Sequence, residues 1–177
     1  MNLALFGGSF DPPHLGHDSI VKTVLGGLDI DKLIIMPTFI SPFKSDFSAP
    51  PALRLKWTRA LWQGLERAEI SDFEISQNRP VPTIETARYL TARYEISKFY
   101  LIIGADHLAS LDKWHEISRL KELVTFVVAE RNHIKIPSEL AKIDIHVDVS
   151  SSQIRRLQTP NEIPAAIRDE VIKFYKG

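Results

Sequence analysis

The sequence predicts a doubly wound α/β fold, a mainly parallel sheet of five or six strands with helices on both faces. Three observations lead there. Apolar runs of strand length recur along the chain, segments of helical period separate them, and the runs are apolar on both faces, as strands covered from two sides must be. No repeat, low-complexity tract or interdomain linker interrupts the alternation, so residues 1–177 are expected to form one domain.

The strands are expected at Leu3 to Phe6, Leu33 to Met36, Phe99 to Ile103, Phe126 to Ala129 and the alternating Ile143 to Val149. A helix opens after the first strand, with His14 and His17 on its first turn. Leu53, Trp57, Leu61 and Leu65 recur at four-residue spacing, and Ile84, Ala87, Leu90 and Tyr94 fall on one helical face. A last helix is expected from Pro164 to Gly177. Between Pro37 and Pro51 lies a long irregular connection with four prolines and three phenylalanines; loops of that length in compact domains are more often functional than idle.

In such a sheet the ligand crevice lies beyond the carboxyl ends of the strands, where the winding direction reverses. Gly7 to Pro13 and Gly104 to Asp106 both follow strands at that end. If those two strands are neighbours, one crevice holds both segments.

The densest chemistry is in Gly7-Gly8-Ser9-Phe10-Asp11-Pro12-Pro13-His14-Leu15-Gly16-His17. The glycines admit a close backbone approach, the prolines stand at a helix entrance, and the N–H groups beyond them suit an anion. Two histidines could also be surface residues or a pair of metal ligands. Neither of those readings accounts for the residues around them, whereas phosphoryl-type transfer needs donors that follow moving charge, which imidazoles at a helix start supply.

Other segments have both a plain and a chemical reading. Ser150-Ser151-Ser152-Gln153-Ile154-Arg155 reads as an N-capping serine, or as hydroxyls and a guanidinium fork for phosphate. Asp106 reads as a helix cap, or as a carboxylate for ribose hydroxyls or Mg²⁺. Thr83-Ile84-Glu85-Thr86 reads as an N-cap with an acid in the first turn. Trp114 reads as core, Lys44 as a solvated loop residue, and His107, His115 and Arg156 carry no chemical assignment.

Gly-x-Phe-Asp-Pro-x-His-x-Gly-His resembles the signature of the nucleotidyltransferase superfamily that shares its His-x-Gly-His with class I aminoacyl-tRNA synthetases. Ile103-Gly104-Ala105-Asp106, Trp114 and Val149-Ser150-Ser151-Ser152-Gln153-Ile154-Arg155 resemble, in order and spacing, the later motifs of bacterial nicotinate-nucleotide adenylyltransferases. The likeness spans essentially the whole chain.

The resemblance implies a Rossmann-like nucleotidyltransferase fold and transfer of AMP from ATP to nicotinate mononucleotide, with Mg²⁺ on the ATP phosphates. It implies catalytic roles for His14, His17 and Lys44. ATP would be bound by Gly7, Gly8, Ser9, Phe10, Gly104, Asp106, Ser150, Ser151 and Arg155, the last on the β and γ phosphates. Thr83, Ile84, Thr86, Trp114 and Arg131 would bind the mononucleotide, Trp114 against the nicotinate ring. Two departures stand out: Ser41-Pro42-Phe43-Lys44 lacks the family's His before Lys, and Asn132-His133 replaces the usual Pro-Gly after Arg131.

The nearest rival is pantetheine-phosphate adenylyltransferase, whose family usually reads Thr-Phe-Asp-Pro and Thr-x-Gly-His where this chain has Ser9 and His14. A nucleotide sensor would not need His14 and His17, and a tRNA synthetase fragment would want a basic surplus. The 22 basic and 22 acidic residues cancel, which argues against a nucleic-acid partner. With no cysteine, disulfides and a Cys nucleophile are excluded. The apolar runs are too short for a membrane span and no basic leader precedes the first strand, so a cytoplasmic protein is expected. The oligomeric state stays open.

Overall fold

The structure is a computed structural model and describes residues 1–130, 134–143, 150–156 and 158–177. Six parallel strands form one sheet in the order β3-β2-β1-β4-β5-β6. They are β1 (Asn2–Gly8), β2 (Lys32–Pro37), β3 (Ala68–Ile70), β4 (Lys98–Gly104), β5 (Thr125–Ala129) and β6 (Ala141–Ile143). The winding reverses between β1 and β4, whose pairing runs from Asn2 opposite Lys98 to Phe6 opposite Ile102. The two glycine-bearing segments therefore do leave adjacent strands at the carboxyl edge.

Alternation along each strand sends side chains to two separate cores. Leu3, Leu5, Ile34, Met36, Leu101, Ile103 and Val128 meet Ile84, Ala87 and Leu90 of α4 (Thr83–Arg93) and Leu120 of α5 (Ile117–Leu123). Ala4, Phe6, Leu33, Ile35, Ile102 and Val127 meet Ile20, Val21 and Val24 of α1 (Leu15–Gly27) and Trp62 of α2 (Pro51–Trp62). These strands are covered on both faces. Leu90 is 1% exposed, so truncating it to Ala would cost ~2–5 kcal/mol in transfer and cavity terms.

A third cluster is specific to the carboxyl-terminal part. Ile154 of α6 (Ser151–Arg155), Ile163, Ile167 and Val171 of α7 (Arg168–Lys176) close over Ala49 and Trp57. The terminal segment is thereby packed against α2 and the end of the 38–50 loop.

Several element boundaries differ from the sequence reading. β3 has three residues around a charged Glu69 and shows no apolar run. α2 ends at Trp62, and besides Trp57 it buries Arg54, Thr58 and Trp62, because its sides face two clusters at once. The last helix begins at Arg168, since Pro164 to Ile167 form a turn closed by the Ile167 N–H on the Pro164 carbonyl. Of the strand expected from Ile143 to Val149, residue 143 ends β6 and 144–149 lie outside the described residues. The segment after β4, Ala105–Lys113, is a 3₁₀ helix. α3 (Phe73–Ser76) is a single turn before α4.

Candidate active site

At the end of β1 the chain turns sharply: Phe10 has φ 48, a left-handed conformation uncommon for a residue with Cβ. That turn folds the Phe10 ring back into the core, edge-on to Phe6 at 5.5 Å, Trp62 at 5.5 Å and His17 at 4.9 Å. A Cβ on Gly8 would meet this ring at 3.2 Å, a tight contact that would press the packed ring by a few tenths of an ångström. Gly7 has no such constraint, its added Cβ meeting only the Met36 carbonyl at an ordinary 3.6 Å. With its ring in the core, Phe10 presents only backbone to the crevice.

His14 is the N-cap of α1, just outside the first turn where the sequence placed it. The His17 N–H donates to His14 Nδ1 at 3.2 Å, and the His14 N–H donates to His17 Nδ1 at 3.1 Å, a reciprocal capping box made of two imidazoles. The chemical consequence is a tautomer. Each Nδ1 is an acceptor, so each neutral ring carries its proton on Nε2 and is a donor there. The rings stack at 3.6 Å, and His14 is buried. Asp18 in the first turn receives the Trp62 indole N–H at 2.9 Å and pairs with Lys22, anchoring the helix start from the far side.

Behind this turn lies a buried cation. Arg54, 0% exposed, donates to the carbonyls of Ser9 (2.6 Å), Thr38 (2.7 Å), Phe39 (2.7 Å) and Ala49 (2.9 Å). Four oxygens from two loops converge on one guanidinium, the planar fork that lysine could not reproduce. Burial pulls its pKa down, while Asp11 and Tyr175 act in the opposite direction.

Asp11 is the second organiser. Its carboxylate accepts N–H groups from Ser48 (2.8 Å) and Ala49 (2.9 Å) and the Tyr175 hydroxyl, and its carbonyl accepts Arg155 Nη1 at 2.7 Å. Ser151 Oγ donates to the Pro12 carbonyl at 3.0 Å. Ser150 caps α6 through its own reciprocal box with Gln153. The serine-rich segment is thus both a helix cap and a brace on the first loop.

Lys44 projects from the 38–50 loop, with Nζ 3.4 Å from Ser9 Oγ. Its pKa is lowered by desolvation and by the Arg155 charge, with Asp11 opposing. Ser9, Asp11, Ile40, Lys44, Phe47 and Arg54 line a cleft between the two loops. Arg54, Lys44 and Arg155 make this end of the crevice cationic around Asp11.

The segments assigned to the acceptor are built differently. α4 is capped by Pro82 rather than by Thr83, without a side-chain cap bond. Ile84 is fully buried in the core, leaving only its backbone for a ligand. The Thr86 hydroxyl donates to Glu74 Oε1 at 2.6 Å, deep under the helix. Desolvation pushes the Glu74 carboxyl up to about 7, against the pull of that hydrogen bond. Trp114 caps the 3₁₀ helix, half-buried, edge-on to His107 at 5.8 Å and tilted 37° to the exposed ring of Phe43 at 6.4 Å. Its indole N–H is buried without a hydrogen-bond partner among the described residues. A Cβ at Gly104 would collide with Asp106 Oδ1, so glycine lets that carboxylate fold back over the strand end. Asp106 lies in the first turn of the 3₁₀ helix, whose N-cap is Gly104. Arg131 lies outside the described residues.

A cytidylyltransferase-like family model matches residues 5–157. The probable nicotinate-nucleotide adenylyltransferase of Campylobacter fetus subsp. fetus is 53% identical over 99% of this chain and 97% of its own. That of Sulfurimonas denitrificans is 51% identical over 98% and 94%. The chain belongs to the nicotinate-nucleotide adenylyltransferase family. Among solved structures, the Plasmodium falciparum nicotinic acid mononucleotide adenylyltransferase complexed with NaAD aligns with a TM-score of 0.82 over 99% of this chain and 97% of that one; at 21% identity this is a likeness of fold.

Within this family member, the structure gathers Ser9, His14, His17, Lys44, Ser151 and Arg155 around one loop. It sets Thr86 and the Ile84 side chain inward. Sequence reasoning missed Arg54 and Tyr175 altogether and quoted Asp11 without a role. A visible signal existed for Arg54: a cation interrupting the apolar positions Leu53 and Trp57. Among the described residues no three His, Asp or Glu side chains gather to hold a metal ion, and no helix is long and apolar enough to cross a membrane.

Proposed function

We infer that the protein transfers AMP from ATP to nicotinate mononucleotide, giving nicotinate adenine dinucleotide and pyrophosphate, a step of NAD biosynthesis. A mononucleotide phosphate oxygen attacks the α-phosphorus in line, a new P–O bond forms, and the bond to the bridging oxygen of the β-phosphate breaks. The observation that carries this is the reciprocal His14–His17 cap, which leaves each neutral ring a donor at Nε2, at the end of the loop that Lys44 meets at Ser9 and Arg155 at Asp11. Donors held in advance where charge accumulates lower the barrier without reorganising during reaction. Neither imidazole needs to be a nucleophile.

Gly7, Gly8, Ser9 and Phe10 offer backbone to ATP, with Gly104, Asp106, Ser150 and Ser151 at the neighbouring strand ends. The nicotinate end is assigned to the backbone of Thr83 and Ile84 at the start of α4, to Trp114 and to Arg131, with Thr86 holding the segment from below. Helix N–H groups favour a carboxylate. Mg²⁺ enters with the triphosphate as part of the substrate, since the described residues present no cage of their own. A cytoplasmic location fits this reading, which needs access to ATP and the mononucleotide.

The test is to supply ATP and Mg²⁺ with nicotinate mononucleotide or with 4′-phosphopantetheine and to follow pyrophosphate and product mass. Dinucleotide formation with the first alone is expected. Adenylation of phosphopantetheine, or ATP binding without turnover, would return the chain to the rival readings.

A further inference from the structure

We propose that Tyr175, on the terminal helix, is a positioning residue for adenylyl transfer: its hydroxyl holds Asp11, and through Asp11 the two loops that carry Ser9 and Lys44 and the backbone oxygen that Arg155 grips. The inference rests on the functional reading above and extends it to a residue 164 positions from its partner.

The ring and the hydroxyl of Tyr175 have separate duties. The ring packs with Trp57 at 6.1 Å and Phe174 at 4.8 Å, inside the cluster that joins α7 to α2. The hydroxyl leaves that cluster and donates to the Asp11 carboxylate. Asp11 is 5% exposed, and its carboxylate oxygens are occupied by Ser48, Ala49 and Tyr175. It therefore acts on a ligand through its neighbours. The Ser48 and Ala49 bonds pin the far end of the loop that bears Lys44, and Arg54 ties the same loop to Ser9 from beneath.

The charges facing this point are Lys44, Arg54 and Arg155, with Asp106 further along the crevice. The Asp11 carboxylate, set among three cations, must be held in place if the cations are to keep a defined spacing for phosphate. A hydroxyl donor does so without adding a fourth positive charge. Burial and the bond to Asp11 both push the Tyr175 pKa up, so the phenol remains a donor across the working pH range.

The test is steady-state kinetics on the full chain carrying Tyr175→Phe, which keeps the ring and removes the hydroxyl, beside Phe174→Leu, which loosens the same cluster and leaves the hydroxyl in place. Tyr175→Phe is expected to raise the ATP KM on the order of ten-fold, with the mononucleotide KM changed less than about two-fold, because only the phosphate-side loops lose their tie. Phe174→Leu is expected to lower Tm and leave the ATP KM alone. An ATP KM in folded Tyr175→Phe equal to wild type would overturn the proposal, as would the same KM rise in Phe174→Leu. Absence of pyrophosphate from the wild-type protein would instead defeat the functional reading. The tie is then read by hydrogen exchange: protection of the Ser48 and Ala49 amides falls in Tyr175→Phe and persists in Phe174→Leu, and unchanged protection in both contradicts it.

Discussion

The two ends of the crevice are held by different forces. At the end proposed for phosphate, the side chains of Arg54 and Asp11 bind loop backbone through six hydrogen bonds, so the positions of Ser9 and of the loop that bears Lys44 are dictated by directional contacts. At the end proposed for the acceptor, Trp114 meets Phe43 and His107 through ring contacts, and its buried indole N–H has no hydrogen-bond partner among the described residues. Transfer chemistry needs donors fixed before the charge moves. Recognition of a flat ring is served by aromatic faces whose contacts are broad and weakly directional.

If directional contacts set the phosphate end, removing its buried cation should be the most damaging change. Arg54→Leu leaves four carbonyl oxygens without a charge-assisted donor and is expected to cost at least ~3 kcal/mol. Denaturant midpoints would show it, and a loss below about 1 kcal/mol would mean that the loops hold themselves. Next comes His17→Ala, which removes a donor and also strips the cap from the His14 N–H. A fall in kcat of ~10²–10³ with a smaller change in ATP binding is expected. Full kcat in a folded variant would remove the imidazoles from the mechanism.

The acceptor end yields a subtler effect, through pH. Glu74 has its carboxyl raised to about 7 in the folded protein, above its unfolded value, so the folded state retains a proton that the unfolded state has lost. Stability from this group is present below the unfolded pKa and declines as pH rises towards 7, by on the order of 3 kcal/mol, then levels off. Glu74→Gln cannot lose that proton. Its Tm relative to wild type should therefore improve between about pH 5 and pH 8, and a constant difference across that span would show Glu74 to be ionised when folded.

The same contrast explains what could be read from sequence. The phosphate loop is contiguous, so its residue types and spacing were visible together, as was the succession of apolar strands along the chain. The organisers were not. Arg54 and Tyr175 act on carbonyls and a carboxylate supplied by residues distant in the chain, and an arginine on a helix looks the same whether it meets water or four backbone oxygens. Thr86 was misleading for a related reason: its hydroxyl faces a buried carboxyl from α3, a partner that helical periodicity does not reveal. β3 escaped because three residues around Glu69 have too little apolar length to register.

The central claim is that a rigid phosphate end serves an acceptor end selective for a carboxylate. It is tested most directly by kcat/KM for nicotinate and nicotinamide mononucleotides at saturating ATP and Mg²⁺. An amide would set its NH₂ against helix N–H donors, and unmatched buried polar groups cost ~1–3 kcal/mol each. Preference for the acid on the order of 10²-fold or more is expected. Equal efficiency, or preference for the amide, would contradict it.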